Sequence, residues 1–445
     1  MIDPTLRDPD RPSRRRFLRG VGRGIGGFAA LAAGLGARSG AAGTTAGAAH
    51  GWGSGAPVAA AQGPRITVRS VDAYPIYIGP RSDGLLDPPV FDSDDDPRRW
   101  RWGGPFEQLP SAIIAVVKTD QGIVGFGMGA GGSAAVEIIR GHLRHLLIGA
   151  DPRNVERLWD QMYSSALLYG RRGLFPMALS AVDNALWDIA GKHAGRPVAS
   201  MIGGWPRERL AIYQTGGDVR DGLARGIRHF KIGTRVGPHT PPDEQRRVAE
   251  AVVAARDLVG PDGNLMIDCV SRNGTADWAV GFARQLRPAN LYFMEELLSP
   301  DDVFGYAELV RRIGGGGPGW TRVACGEHEY TEHGFDVLVR LNAAEVLQPD
   351  ITWCGGVTAA KRIRDLVEGA GLELIPHRGG SVWGLPIALT ARTCTMAESF
   401  PAGSPILDAM SPRFDDGDYV APTEPGFGST LTERMVLDAR LPGTF

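Results

Sequence analysis

The 445-residue chain has few cysteines and almost no net charge, and each shortage excludes a class of protein. Its 4 cysteines have no spacing that suggests a zinc site or a disulfide framework, so we expect buried free thiols. A net charge of −2 provides no basic field for nucleic acid or an anionic membrane. Beyond the N-terminus, no run is long and apolar enough to span a bilayer. With 43% hydrophobic and 22% charged residues, the composition is that of a globular protein with a large core.

Residues 1–61 are predicted to be a targeting segment outside the fold. The stretch SRRRFLRG (Ser13–Gly20) precedes a weakly apolar, Gly/Ala-rich run, low-complexity sequence and a small-residue cleavage site near Ala61. This order is typical of a twin-arginine signal peptide. It predicts export through the twin-arginine translocation machinery to a periplasmic or extracellular location. A disordered basic tail and a retained membrane anchor are the alternatives.

Residues 65–205 are predicted to form an α+β capping domain. The stretches RITVRSVDAYPIYI and SAIIAVVKTDQGIVGFGMG predict strands, the second with an internal turn, and three helical patterns follow them. A polar, Pro- and Asp-rich stretch at residues 81–105 separates the two strand predictions. It is too long for a simple turn, so we expect a disordered segment or a functional lid there.

From Leu210 onward, short apolar strands alternate with helical segments, which predicts a parallel sheet built from βα units. About eight such units in residues 206–400 favour an α/β fold of the modified TIM (β/α) barrel type. Residues 401–445 are predicted to return to the cap. An open doubly wound sheet is the alternative, but no Gly-rich phosphate fingerprint follows the first strand.

Three carboxylates occupy the ends of successive predicted barrel strands. Asp268, Glu295 and Glu327 recur at intervals of about 30 residues, the length of one βα repeat. Strand ends meet on one face of a barrel, where three unpartnered carboxylates would repel one another. A Mg²⁺ ion removes this repulsion and leaves positions for substrate oxygens. Glu295 and Glu296 are adjacent on one strand, so alternation allows only one of them to point into the site.

A histidine and an aspartate end the next two predicted strands. LELIPHRGG places His377 where an apolar strand gives way to a glycine loop, and EVLQPD places Asp350 at the end of the preceding strand. A carboxylate on one imidazole nitrogen fixes the tautomer and raises the basicity of the other. We therefore expect His377 to act as a general base that removes a proton next to a substrate carboxylate. For an isolated histidine, a strand end with only local hydrogen bonds is the commoner situation.

The motifs ALSAVDNALWDIAGKHAGRPV, LMIDC, FMEEL, CGEH, LQPDITWCGG and IPH together resemble the enolase superfamily. The resemblance is to its mandelate racemase/muconate lactonizing branch and covers the chain from about Arg65 to the C-terminus. Within that branch, the order of GEH, QPD, WCGG and PH is similar to the L-rhamnonate dehydratase group. The resemblance selects Glu295 over Glu296, and implies Asp268, Glu295 and Glu327 as ligands of one Mg²⁺ per subunit.

The same resemblance implies further site residues. It assigns the Asp350–His377 pair as the base and His328 as a candidate acid in ketonising an enol product. It also implies Lys231 as a contact to the substrate carboxylate, and Arg101 as a cap residue that reaches the substrate. Family members are commonly homo-oligomers, so the resemblance implies one here.

Several positions depart from the pattern of the family. Mandelate racemases carry a second lysine where this chain has Gly233, which favours one-base dehydration over two-base racemisation. No histidine lies between His50 and His142, although the rhamnonate group has one in the cap loop. The loop after the base is longer by Arg378. An export signal is also unusual for a sugar-acid catabolic enzyme.

These observations predict a Mg²⁺-dependent dehydratase of a sugar acid, an aldonate similar to L-rhamnonate. His377 would remove the proton α to the carboxylate, with loss of the β-hydroxyl to give a 2-keto-3-deoxy acid. Arg378 in the loop and Glu398 at the last strand end are further predicted substrate contacts. A racemase or epimerase of a 2-hydroxy acid is one alternative. An exported, metal-dependent acid-binding protein without turnover is another.

Overall fold

The structure is a computed structural model that describes residues 65–76, 112–204, 206–234, 236–270, 274–315 and 320–440. The predicted export signal, the cap stretch 81–105 and Arg101 lie outside these residues. Within them, the predicted fold class is confirmed. An α+β cap precedes an α/β barrel, and a short C-terminal segment contacts both.

The cap contains a three-stranded antiparallel sheet in the order β1-β2-β3. Its strands are β1 Val68–Pro75, β2 Ile113–Thr119 and β3 Val124–Gly129. The cap helices are α1 Gly132–Ile138, a π-helical turn Ile139–Leu143, α2 Arg144–Leu147, α3 Val155–Ser165, α4 Leu174–Ala194 and a 3₁₀ turn Val198–Ser200. The strands form because apolar, mostly β-branched residues fill β2, which is almost wholly buried.

Helix α4 lies directly against β3 and also contacts the barrel. Glycines on β3 allow the close approach, since a Cβ at Gly127 would lie 2.1 Å from the Ala181 carbonyl oxygen. On the barrel side, Trp187 Nε1 donates to Thr358 Oγ1 at 2.9 Å, and the Thr358 hydroxyl donates to Asp183 at 2.7 Å. Buried polar contacts therefore join the cap to the barrel. Burial of Asp183 in this contact raises its pKa to about 7.

Among the described residues, eight parallel strands form the barrel wall, with neighbours paired in the order β10-β9-β8-β7-β6-β5-β4-β11. They are β4 Arg209–Thr215, β5 His229–Gly233, β6 Leu265–Asp268, β7 Phe293–Glu295, β8 Arg322–Cys325, β9 Val346–Leu347, β10 Glu373–Leu374 and β11 Ala397–Glu398. Side chains of these strands pack in a buried cluster that includes Tyr213, Met266, Phe293 and Val346. The parallel register brings all eight carboxyl ends to one rim.

Amphipathic helices follow the barrel strands and cover the outside of the wall. They are α5 Val219–Ala224, α6 Pro242–Val259, α7 Ala276–Leu286 with a 3₁₀ turn Arg287–Ala289, α8 Val303–Ile313, α9 Thr331–Arg340, α10 Gly356–Gly369 and α11 Leu385–Thr390. Side-chain caps start several of them, as where Thr275 accepts from the Trp278 amide. The predicted alternation of strands and helices is thus present.

The C-terminal segment contains α12 Pro405–Ala409, β12 Phe414–Asp415, β13 Asp418–Val420 and α13 Glu433–Asp438. The β12–β13 hairpin pairs antiparallel with the first half of β4, whose second half pairs with β11. The segment also reaches the cap, where Glu433 pairs with Lys118 at 2.7 Å. All 4 cysteines are buried and free, as predicted. No helix among the described residues is long and apolar enough for a membrane span.

Candidate active site

Three carboxylates converge at the carboxyl ends of neighbouring strands. Asp268 and Glu295 are the last residues of β6 and β7, and Glu327 follows β8. One oxygen of each lies within 4.8 Å of the others. Burial raises the pKa of Glu295 to about 7, although the charge of Lys231 opposes this rise. Burial and the negative charge of Glu296 together raise the pKa of Glu327. Such a cluster of hard oxygen donors fits a divalent cation, which would replace the protons that otherwise relieve the repulsion.

Lys231, on β5, is buried against this cluster with 1% of its side chain exposed. Its Nζ donates to both oxygens of Glu295, at 2.9 and 2.8 Å, and pairs with Glu398 at 3.0 Å. Burial lowers the pKa of the lysine, but Glu295 and Glu398 outweigh it and raise the pKa well above its usual range. Gln348 also donates to Glu295, at 2.9 Å. Lys231 and Gln348 therefore hold the Glu295 carboxylate in place, and a substrate contact of Lys231 stays a prediction.

Both carboxylate oxygens of Glu398 are engaged by protein groups. Oε1 accepts from Thr215 Oγ1 at 2.5 Å and pairs with Lys231, and Oε2 accepts from the Arg378 amide at 2.7 Å. Burial would raise its pKa, but Lys231 and His377 together with these hydrogen bonds lower it to about 2. Glu398 is therefore an ionised group that contacts both Lys231 and the backbone of Arg378, in the loop that follows the candidate base. Its predicted contact with substrate stays a prediction.

The structure brings His377 and Asp350 together. They follow β10 and β9, which pair in parallel, and His377 Nδ1 lies 2.8 Å from Asp350 Oδ2. Asp350 is fully buried, and its Oδ1 accepts from both the amide and the hydroxyl of Thr352 at 2.6 Å. The fixed carboxylate holds the proton on Nδ1. This leaves Nε2, which lies 3.5 Å from Glu327, as the nitrogen that can accept a proton.

Opposing effects set the pKa of His377. Burial lowers it, but Glu327, Glu398 and the hydrogen bond to Asp350 outweigh burial and raise the pKa to about 9. A cation on Glu327 would cancel part of the negative charge facing the imidazole. Metal binding would therefore lower the pKa of His377 towards the range in which a general base works at neutral pH.

Trp353 lies beside two histidines of the site and is 5% exposed. Its ring centroid is 5.5 Å from that of His328 and 5.4 Å from that of His377. The Arg378 guanidinium lies 5.3 Å from the same indole ring. Arg378 is thus held beside the base, and its predicted role in substrate binding remains a prediction.

The expectation that only one glutamate of the pair enters the site is wrong. Glu296 is 1% exposed, and its Oε1 lies 2.7 Å from His328 Nδ1. The strand ends at Glu295, and Glu296 has a left-handed backbone with φ 48°, so the alternation of a strand no longer applies to it. Burial lowers the pKa of His328, but Glu296 outweighs burial and raises it. The site therefore holds a second histidine–carboxylate pair.

Left-handed backbone conformations cluster at this rim of the barrel. Three of the described non-glycine residues with positive φ come soon after candidate site residues. Val270 lies two residues after Asp268, Glu296 directly follows Glu295, and Arg378 directly follows His377. Such conformations cost of order 1–3 kcal/mol each and concentrate at functional sites. Gly326, with φ 124°, similarly precedes Glu327. Strained backbone positions therefore lie within two residues of each candidate ligand and of the candidate base.

Arg101 and Gly233 are two further positions on which the sequence analysis made predictions. Arg101 lies outside the described residues, so the structure does not locate it. Gly233 lies two residues beyond Lys231 on β5, and no described residue comes within 4 Å of where its Cβ would lie. Among the parts of the chain that the structure describes, nothing therefore fills the position at which mandelate racemases are expected to carry a second lysine.

Sequence reasoning missed Glu296, Gln348 and Trp353 as members of the site. Gln348 and Trp353 lie in the motif LQPDITWCGG, whose two ends flank the residue that pairs with the base. Their positions so close to Asp350 were the signal that could have identified them. For Glu296 no signal in the sequence reveals a left-handed backbone at a residue other than glycine.

The fold and this site define a capped (β/α) barrel of the enolase type, with a carboxylate cluster and a histidine–aspartate pair at the strand ends. Residues 107–203 match the mandelate racemase/muconate lactonizing enzyme N-terminal domain, and residues 216–435 match the enolase C-terminal domain-like family. The chain belongs to the mandelate racemase/muconate lactonizing enzyme family of the enolase superfamily.

Relatives and solved structures agree with this assignment. The chain is 33% identical over 334 residues to an L-rhamnonate dehydratase of Saccharopolyspora erythraea, covering 73% of this chain and 84% of that protein. It is similar to rhamnonate dehydratase from Gibberella zeae complexed with Mg, with TM-score 0.73, 26% identity, and coverage of 86% and 97%. It is also similar to a racemase from Streptomyces coelicolor with bound magnesium, with TM-score 0.67, 26% identity, and coverage of 84% and 100%.

Proposed function

We propose that this protein is a Mg²⁺-dependent dehydratase of a sugar acid, an aldonate of the L-rhamnonate type. The observation that carries the proposal is the His377–Asp350 pair. Nε2 of His377, the nitrogen that does not face Asp350, lies 3.5 Å from Glu327 of the candidate metal cluster. This places a base beside a cluster suited to a cation that binds a substrate carboxylate. The relatives named L-rhamnonate dehydratase, and the Mg complex of one structural neighbour, support the same chemistry.

Asp268, Glu295 and Glu327 would hold the Mg²⁺ ion. When bound, Mg²⁺ would neutralise the negative charge that develops on the substrate carboxylate as the α-proton leaves. Lys231 and Gln348 fix Glu295 for this task by donating to its oxygens. Their contribution is to orient a ligand, which commonly changes metal affinity or activity about 10–100-fold.

His377 Nε2 takes the proton from C2 of the acid, and Asp350 stabilises the imidazolium that results. The electron pair of the C2–H bond forms the C2=C3 bond as the C3 hydroxyl leaves with a proton as water. The protonated His377 can supply that proton in a syn elimination. The enol product then gains a proton at C3 and loses its hydroxyl proton, which gives the 2-keto-3-deoxy acid. His328 is the candidate donor to C3.

A racemase or epimerase is the second candidate function. The His328–Glu296 pair favours it, because the site then holds two histidines, each beside a carboxylate and each near the ring of Trp353. In that reaction His377 and His328 would exchange protons on opposite sides of C2. Gly233 argues against the lysine-based version of this reaction, but not against the histidine version.

Incubation of the purified protein and Mg²⁺ with a panel of aldonates in D₂O separates these functions. A dehydratase forms 2-keto-3-deoxy acid, measured colorimetrically and by NMR, and His377→Asn abolishes it. An epimerase instead incorporates deuterium at C2 without loss of water, which would overturn the proposal. Calorimetric binding of an acid without any product would favour the binding protein.

Export by the twin-arginine route and assembly into a homo-oligomer are further proposals. The order of residues in SRRRFLRG supports export. Fusion of residues 1–61 to a reporter that is active only after export would test it, with Lys replacing both Arg14 and Arg15 as the control. Retention of the reporter in the cytoplasm would contradict export. Light scattering of the purified protein would test the oligomer.

A further inference from the structure

A loop of the cap, residues 166–173, carries an arginine that reaches the barrel. The loop joins α3 to α4, and its Leu168 is fully exposed, so the packing of this side chain does not hold the loop in place. Arg172, on the same loop, pairs with Glu329 beyond β8, with 3.0 Å between Nη2 and Oε2. Its Nη1 lies 3.7 Å from Asp301, in the segment that follows β7. One cap residue therefore links segments that follow two neighbouring barrel strands.

Glu329 closes the turn that carries a candidate metal ligand. Its amide donates to the Gly326 carbonyl at 3.1 Å, and Glu327 lies inside this turn. The Glu329 side chain is 5% exposed, and its Oε1 accepts from the Tyr330 amide at 2.8 Å. Arg172 engages the other oxygen, Oε2. The side chain that closes the turn is therefore held by barrel backbone on one oxygen and by the cap on the other.

We propose that Arg172 is a positioning residue that acts through Glu329 to hold the turn carrying Glu327, so that this cap loop sets the affinity of the barrel for Mg²⁺. Residues that orient a ligand without touching the metal commonly change metal affinity about 10–100-fold. The role does not depend on which reaction the bound Mg²⁺ supports. Because such coupling is reciprocal, bound Mg²⁺ would in turn favour the contact between Arg172 and Glu329.

Calorimetric titration of the purified protein with Mg²⁺ tests the proposal, and the direction of the change identifies its cause. Removal of a positive charge near the carboxylates would by itself strengthen cation binding. We expect Arg172→Met instead to weaken Mg²⁺ binding about 10-fold. Arg171→Met is the matched control, because Arg171 is an exposed residue of the same loop that forms no ion pair with a described residue. Affinity of Arg172→Met equal to or tighter than that of Arg171→Met would overturn the proposal.

A double variant shows whether Arg172 acts through Glu329. In a Glu329→Met background, Arg172→Met should cause no further loss of Mg²⁺ affinity. A loss as large as in the wild-type background would overturn the proposal. Should Glu329→Met fail to fold, Glu329→Gln removes the charge and keeps an oxygen for the Tyr330 amide. The loss caused by Arg172→Met should then be smaller than in the wild type, and an equal loss would again overturn the proposal.

Two further comparisons separate positioning from a general effect on the fold. Arg172→Lys should recover part of the affinity, because an ammonium group can still pair with Glu329, and binding as weak as in Arg172→Met would overturn the proposal. Titration well below the Tm of each variant excludes partial unfolding, so a loss that disappears there would also overturn it.

The same titrations distinguish this proposal from the proposed function. A wild-type protein that binds no Mg²⁺ would overturn the role of Arg172 together with the metal site. Wild-type Mg²⁺ binding with the expected loss in Arg172→Met supports the role of Arg172 even if no acid is dehydrated.

Discussion

Replacement of Asp350 by asparagine tests whether the buried pair makes His377 a base. Asp350 Oδ1 accepts two hydrogen bonds from Thr352, at 2.6 Å each, and Oδ2 accepts from His377. In Asp350→Asn the two Thr352 donors keep the amide oxygen on their side, so the NH₂ group faces His377 Nδ1. That nitrogen must then accept, which moves the ring hydrogen to Nε2 and blocks the atom that takes the proton.

The expected loss has two parts. A hydrogen bond to a charged group is worth about 1.5–3 kcal/mol, which corresponds to roughly 10- to 150-fold in rate. The wrong tautomer adds to this, and the equivalent change in the serine protease triad lowers kcat by about 10⁴. We therefore expect kcat/KM of Asp350→Asn to fall by about 10²–10⁴ with little change in the fold, because the side chains are isosteric.

The pH–rate profile gives a second test of the same variant. Asp350 helps to raise the pKa of His377, so its removal lowers that pKa. A base works when unprotonated, so the acid limb of kcat/KM should move to lower pH while the plateau falls. Thr352→Val is the control, because it removes one donor to Asp350 and leaves the contact with His377. An Asp350→Asn plateau within about 3-fold of the wild type would refute the assignment of the pair.

Three further outcomes follow from the charges of the site. Lys231→Met leaves buried carboxylates without their cation, so urea unfolding should show a loss of about 3–5 kcal/mol; a loss below 1 kcal/mol would contradict this. The pKa of Glu398 is lowered to about 2 in the fold, so its stabilising effect is complete above its ordinary value of 4.5 and is lost as pH falls towards 2. Glu398→Gln should therefore flatten the dependence of Tm on pH in that window, and an unchanged slope would refute the assignment. Glu327→Gln should weaken Mg²⁺ binding at least about 10-fold by calorimetry, and unchanged affinity would exclude Glu327 as a ligand.

Local patterns in the sequence were enough to predict the barrel and the convergence of its strand ends. Apolar strands alternate with helices from Leu210, and parallel strands must place their carboxyl ends on one rim. The structure accordingly brings Asp268, Glu295 and Glu327 together. These predictions needed only the order of elements, which short-range periodicity encodes well.

Contacts that depend on single backbone angles or on burial were not predictable in the same way. The strand rule failed at Glu296 because β7 ends one residue earlier than the apolar pattern indicates, and φ becomes positive there. The carboxylate surroundings of Lys231 and the contacts of Trp353 with two histidines depend on segments that are distant in the sequence. No local pattern reports which of several strand-end side chains a buried lysine will pair with.

The left-handed residues at the rim also bear on how the site is prepared for its reaction. Val270, Glu296 and Arg378 hold costly backbone conformations although their contacts are with protein groups. The Val270 amide donates to Asp268, and the Arg378 amide donates to Glu398. The hydrogen bonds and burial of the surrounding barrel must therefore offset the strain before any substrate binds. A site held in this way needs little rearrangement when charge develops on the substrate, which is the condition under which fixed carboxylates and imidazoles stabilise a transition state most effectively.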